Sequence, residues 1–224
     1  MADVAASSHP RGIVLVVHGG QSESTLPVTA TQLAVIRMIP VAAAIRRAVG
    51  DDGIEVRRPL FTVRGWNGAS ASPVSDLTAV LDALHGWSPG LPVVLVGHSM
   101  GGRAALRVAG HPAVIGVAGL APWLPDGEPV GQLAGRRVLL AHGTADRITS
   151  PAETWAYAER ARAVTDVTAI EIRGGDHPML RRAPLWHALA AEFTRGCFGL
   201  PEGTGEAAVA ITAASRGARM VTLS

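Results

Sequence analysis

The chain has 224 residues, 48% of them apolar and 17% charged, enough apolar material for a core covered on both sides, which excludes a chain disordered throughout. Its formal charge is only +2 against a sequence pI near 9.4, because there is no lysine and arginine, which does not titrate below about pH 12, carries the positive charge alone. The pairs Arg46-Arg47, Arg57-Arg58, Arg136-Arg137 and Arg181-Arg182 are scattered along the chain, which reads as solvated faces or strand ends rather than a phosphate track for nucleic acid.

In chain order, short apolar runs alternate with longer helical patterns, the signature of a parallel sheet wound on both faces. The spacing predicts strands over 12–17, 55–62 with a break near Pro59, 92–97, 114–120, 137–142 and 167–172. Helices are predicted over 29–49, 73–84, 100–109, 152–163 and 182–195. Pro73 and Pro151 stand where a first helical turn tolerates a missing amide hydrogen. At this length a single domain is expected over residues 1–200. Residues 201–224, rich in Gly, Ala, Thr and Ser without firm periodicity, read as a flexible tail.

Cys197 is the one cysteine, so no intramolecular disulfide and no cysteine-type zinc site can form, and a reducing compartment is the simpler inference. The first ten residues lack the apolar core of a signal peptide, and no apolar run approaches the roughly 20 residues of a membrane span. A cytoplasmic location is expected.

Residues 93–102 read Val-Val-Leu-Val-Gly-His-Ser-Met-Gly-Gly: an apolar strand, a sharp turn carrying Ser99, and the start of a helix. This is a nucleophile elbow. An ordinary serine hydroxyl is a weak nucleophile and must be held out from the backbone, where a histidine can take its proton. Gly97 and Gly101 remove side chains that would collide where strand and helix cross. Ser99 is the candidate nucleophile.

Around the elbow stand Val-Val-His18-Gly19-Gly20 after the first strand, His142-Gly143-Thr144-Ala145-Asp146 after the fifth and Gly174-Gly175-Asp176-His177 after the sixth. With these landmarks the chain resembles the α/β-hydrolase superfamily over residues 12–195, in the order nucleophile, acid, histidine. The resemblance implies an α/β-hydrolase fold of about six mostly parallel strands flanked by helices on both faces. With the first strand starting at Gly12, the family's N-terminal hairpin is expected to be missing or reduced. The short connection between Leu120 and Arg137 leaves no place for a cap domain.

The resemblance also implies roles. His177 becomes the general base, in a Gly-rich loop that lets the imidazole swing over the Ser99 hydroxyl. For the acid it points to Asp146, in His-Gly-Thr-Ala-Asp-Arg-Ile-Thr-Ser-Pro, with Asp126 after the preceding strand as the alternative. Asp176, adjacent to His177, reads as a loop hydrogen-bonding group. An oxyanion hole needs two converging backbone amides: Met100, after the nucleophile, and Gly20, at the matching position after the first strand, or Gln21 if that loop shifts by one. His98 belongs to the elbow, His18 and His142 read as fixing loop backbone, and His9, His85, His111 and His187 fall in the tail, turns or helix surfaces. No histidine pair has metal-ligand spacing with a third ligand, so neither metal nor cofactor is expected.

Trp66 and Trp123 lie in loops beyond the carboxyl ends of strands, where ligands bind in open α/β sheets. Each reads either as the wall of an acyl or alcohol pocket or as packing against a helix. Trp87, Trp155 and Trp186 read as packing. The expected activity is that of a serine esterase, cleaving a small-molecule carboxylic ester through an acyl-enzyme. A thioesterase or acyl transferase with the same triad is the alternative, a peptidase or lactonase is open, and a non-catalytic binding protein of this fold is the second class. The expected partner is a small-molecule ester or thioester, with no nucleic acid and no membrane; the oligomeric state is not legible.

Overall fold

The computed structural model of the protein describes residues 10–224. Residues 1–9, which include His9 and most of the N-terminal stretch without an apolar signal-peptide core, lie outside the described residues. The strands are β1 (Gly12–Val17), β2 (Ile54–Arg57), β3 (Val93–His98), β4 (Val114–Leu120), β5 (Arg137–Gly143), β6 (Val167–Ile172) and β7 (Val221–Leu223). They form one seven-stranded sheet in the order β2-β1-β3-β4-β5-β6-β7, every neighbouring pair parallel. The helices are α1 (Leu33–Ile36), α2 (Met38–Val49), α3 (Ser72–Trp87), α4 (Met100–Arg107), α5 (Pro151–Ala161), α6 (Ala183–Cys197) and α7 (Glu206–Ser215).

The apolar runs are continuous because both faces of the sheet are covered. Along β1 the side chains alternate between two cores: Ile13, Leu15 and Val17 join Leu77, Ala104 and Tyr157 of α3, α4 and α5, whereas Val14 and Val16 join Ile45, Trp186 and Ala210 of α2, α6 and α7. The strand order reverses between β1 and β3, so the loops leaving their carboxyl ends diverge and open a crevice. Gly20 and Ser99 both lie there. Between β4 and β5 the only regular element is one 3-10 turn, Gly131–Leu133, so no cap domain is inserted. Among the described residues no helix is long and apolar enough to cross a membrane.

Three expectations need correction. The strand read over 55–62 ends at Arg57, because Arg58 precedes Pro59, which has no amide hydrogen to continue a ladder. The helix read over 29–49 is two helices that meet at Arg37; Pro40 cannot donate to the carbonyl four residues back, so a new helix starts whose first turn holds the proline.

The third correction concerns the tail. Residues 206–215 form α7 and residues 221–223 form β7, which extends the sheet beside β6 through Ile170↔Val221 and Ile172↔Leu223. Ala207, Ala210 and Ala214 are buried against the α2 and α6 face. A helix of small residues has almost no hydrophobic periodicity, so its buried side was invisible in the sequence.

At the elbow Ser99 has φ 55° and ψ −121°, a sparsely populated conformation for a residue with a side chain. The turn is tight enough that a Cβ on Gly97 would come within 2.4 Å of the Gly101 carbonyl oxygen, and one on Gly101 within 2.3 Å of the His18 carbonyl oxygen. Both obstacles are backbone. Gly101→Ala is therefore expected to destabilise the protein by about 1–3 kcal/mol through overpacking, measurable by chemical denaturation. An unchanged midpoint would show that the crossing of α4 over β1 is looser than described.

Candidate active site

Each side chain of the candidate triad leaves the carboxyl end of a different strand. Ser99 follows β3, Asp146 lies in the loop after β5, and His177 lies in the loop after β6. His177 Nε2 lies 3.1 Å from Ser99 Oγ, and His177 Nδ1 lies 2.8 Å from Asp146 Oδ2. The three form one hydrogen-bonded chain, and all are buried. Asp126 is exposed and accepts from the amide of its own neighbour, Gly127. Asp176 Oδ1 accepts from the amides of Leu180 and Arg181, shaping the loop behind His177.

Burial opposes ionisation of Asp146, but the hydrogen bonds it accepts from His142, His177, Ile148 and Thr149 outweigh that cost and hold its carboxyl well below the usual carboxylate range. It is a fixed negative charge at neutral pH. His98, the residue before the elbow serine, donates from Nε2 to the His177 carbonyl at 2.8 Å. Burial, with smaller help from neighbouring His177, pushes the His98 imidazole down to about 3, so it supports the loop as a neutral ring.

Gly20 lies in the loop that leaves β1 and Met100 opens α4 just after β3, and among the described residues neither backbone amide donates to a backbone carbonyl in a loop or turn. A Cβ on Gly20 would fall 2.3 Å from Met100 Cε and 2.4 Å from the Arg64 carbonyl oxygen, so this position requires glycine. Gln21, the alternative donor, gives its amide to the Arg64 carbonyl at 2.8 Å, and its carbonyl accepts from the Trp66 amide at 2.9 Å. His18 secures the neighbouring loop by accepting at Nε2 from the Phe61 amide, 3.2 Å away, while Nδ1 donates to the Gly19 carbonyl.

A family model described as serine aminopeptidase, S33 matches residues 8–137, more than half of the chain. The chain belongs to this family of α/β hydrolases. Solved structures agree on the fold. Est1E from Butyrivibrio proteoclasticus, solved with ferulic acid bound, is similar at a TM-score of 0.63 and 14% identity over 87% of this chain and 93% of that one. A monoacylglycerol lipase from Paleococcus ferrophilus gives 0.62 and 18% over 84% and 96%. XC6422 from Xanthomonas campestris, described as an α/β serine hydrolase without a lid, gives 0.58 and 22% over 91% and 88%. A search of curated proteins finds no match.

The two tryptophans of this S33-family hydrolase do not form an open wall together. Trp66 is 3% exposed and meets Trp123 edge-on at 6.2 Å. The Arg103 guanidinium lies 3.8 Å from the Trp66 ring centroid and 4.5 Å from that of Trp123. Arg103 is itself paired with buried Glu128, so cation–π packing occupies the aromatic faces that a substrate would need. Trp66 is therefore corrected from a candidate pocket wall to a core residue, while Trp123 is partly exposed and its amide donates to the Ser99 carbonyl.

His142 also differs from the sequence reading. It binds side chains instead of loop backbone, with Nε2 3.1 Å from Asp146 Oδ2 and Nδ1 2.8 Å from Thr154 Oγ1. Thr149 and Thr154 carried no sequence signal. The four-residue spacing of His142 and Asp146 across a tight turn was the available clue.

Proposed function

We propose that the protein is a serine esterase that hydrolyses small-molecule carboxylic esters through an acyl-enzyme. The observation that carries this reading is the Ser99–His177–Asp146 hydrogen-bonded chain at a strained strand-to-helix turn. His177 Nε2 takes the Ser99 proton as Oγ attacks the ester carbonyl, and Asp146 stabilises the imidazolium that forms. The amides of Gly20 and Met100 hold the tetrahedral oxyanion. As the intermediate collapses, the alkoxide leaves with the proton from His177. Water, deprotonated by the same nitrogen, then attacks the acyl-enzyme and releases the acid and free Ser99.

The ester reading is favoured over a peptide one by two exposed apolar side chains on the loops of the triad. Ile148 is 75% exposed and Leu180 73% exposed, on the loops that carry Asp146 and His177. Exposed apolar side chains on these two loops would offer contact to an apolar acyl or alcohol group, and no cap is inserted between β4 and β5. Each extra methylene gains about 0.8 kcal/mol only where a wall receives it, so short and medium acyl chains are the expected substrates. Hydrolysis of p-nitrophenyl esters from acetate to palmitate tests this, beside an acyl-thioester and an aminoacyl p-nitroanilide. The expected result is a kcat/KM that peaks at short or medium esters with no jump above the solubility limit. A steady climb to palmitate contradicts the open crevice, and faster turnover of the thioester or anilide moves the substrate class.

A further inference from the structure

We propose that His142 and Thr149 are positioning residues that share the Asp146 carboxylate with His177 and thereby set the acidity at which the base works. This rests on the triad reading above. Asp146 Oδ2 has three neighbours that can donate to it: His177 Nδ1 at 2.8 Å, Thr149 Oγ1 at 2.9 Å and His142 Nε2 at 3.1 Å. Oδ1 accepts from the Ile148 and Thr149 amides at 2.8 and 3.0 Å. One oxygen serves the base and two further side chains.

The proton on His142 is fixed by its surroundings. Were it on Nδ1 alone, a lone pair on Nε2 would face the carboxylate 3.1 Å away. Nε2 therefore carries the hydrogen, and the buried Thr154 hydroxyl donates to Nδ1. Thr149 has one hydroxyl hydrogen, and Asp146 Oδ2 at 2.9 Å is a better acceptor than the Ala121 carbonyl at 3.4 Å. Its oxygen also lies 3.1 Å from His177 Nδ1 and 3.4 Å from His142 Nε2, between the two rings.

A carboxylate oxygen offers about two lone pairs, and each donor on it draws charge away from the others. With His142 and Thr149 in place, less of the Asp146 charge remains to stabilise the imidazolium formed at His177. The acid limb of the pH–rate profile then lies at lower pH than in a site where Asp146 serves His177 alone. The other ionisable groups around this pair are His98 on β3, whose ring centroid is 4.8 Å from that of His177, Arg37 between α1 and α2, and Asp176 beside His177. None of these is altered by changing residues 142 or 149.

The experiment follows p-nitrophenyl acetate hydrolysis and fluorophosphonate labelling of Ser99 across about pH 5 to 9, for the wild type, His142→Leu, Thr149→Val and His142→Gln. In His142→Leu and Thr149→Val the acid limb should move to higher pH by roughly half a unit to one unit, with KM unchanged. In His142→Gln, whose amide can donate to the same oxygen, it should return toward the wild-type position. A limb that stays in place or moves to lower pH while kcat falls would overturn the proposal, since that is the signature of residues that merely hold the loop. Should His142→Leu not fold, the near-isosteric Thr149→Val decides alone. Absence of wild-type labelling at Ser99 removes the triad reading and this inference together, whereas labelling without a shift in the variants removes only the inference.

Discussion

Ser99→Ala is expected to abolish covalent labelling by a fluorophosphonate and to lower kcat by on the order of 10⁴ or more. The hydroxyl is the only atom group removed, and alanine can occupy the same turn at φ 55°, so the fold should survive. Without Oγ, His177 Nε2 has no attacking group to deprotonate within its 3.1 Å reach. The Gly20 and Met100 amides would still bind and polarise the carbonyl, leaving a small residual rate over water. Circular dichroism and thermal melting on the same preparation separate lost chemistry from lost fold. Hydrolysis within tenfold of wild type, in a folded variant, would remove Ser99 from the reaction.

For Asp146→Asn a loss in kcat on the order of 10⁴ is also expected. The reason lies in the donors that surround the carboxylate. His177 and His142 present N–H groups to Oδ2, and the Ile148 and Thr149 amides present theirs to Oδ1. An asparagine must turn its own NH2 toward one of these sets in either orientation. Facing His177, it forces the imidazole proton to Nε2, and a protonated Nε2 cannot accept from Ser99. Facing the loop amides, it breaks the turn that positions the side chain. Asp126→Asn should cost little, because Asp126 is exposed and, among the described residues, its side chain bonds its neighbour's amide alone. Steady-state kinetics on the two variants test the assignment, and the reverse ranking would move the acid to the loop after β4.

What the sequence made legible is what local chemistry dictates. The elbow could be read because strand, turn and helix each leave a signal within ten consecutive residues, and the glycines at 97 and 101 are required by backbone contacts of 2.4 and 2.3 Å. The split at Arg37 was readable in principle from Pro40, four residues after Ile36. Other features depend on contacts that no spacing encodes. The helix α7 buries alanines on the side of α6 and β6, and β7 is three residues long at the sheet edge, so neither produces an apolar period. Trp66 lies in a loop of the kind that lines pockets, yet Arg103, on a helix distant in sequence, covers its ring.

The surroundings of the candidate acid show the same limit more sharply. Asp146 is singled out by its place after a strand, but the two imidazoles and the threonine hydroxyl on one of its oxygens come from β5, the following loop and the loop after β6. Only the folded chain brings them together. Burial of the site then turns these contacts into a fixed charge, since a desolvated carboxylate with five donors has no easier state than the ionised one.

If turnover passes through an ester on Ser99, that ester can be trapped, which is the most direct test of the proposed chemistry. The wild-type protein is mixed with p-nitrophenyl acetate, quenched in acid during the first turnover and mapped by mass spectrometry. The account predicts a burst of p-nitrophenol close to one equivalent and an acetyl group on the peptide containing Ser99. Steady hydrolysis with no burst and an unmodified Ser99 peptide, or an acetyl group on a different residue required for turnover, would contradict it.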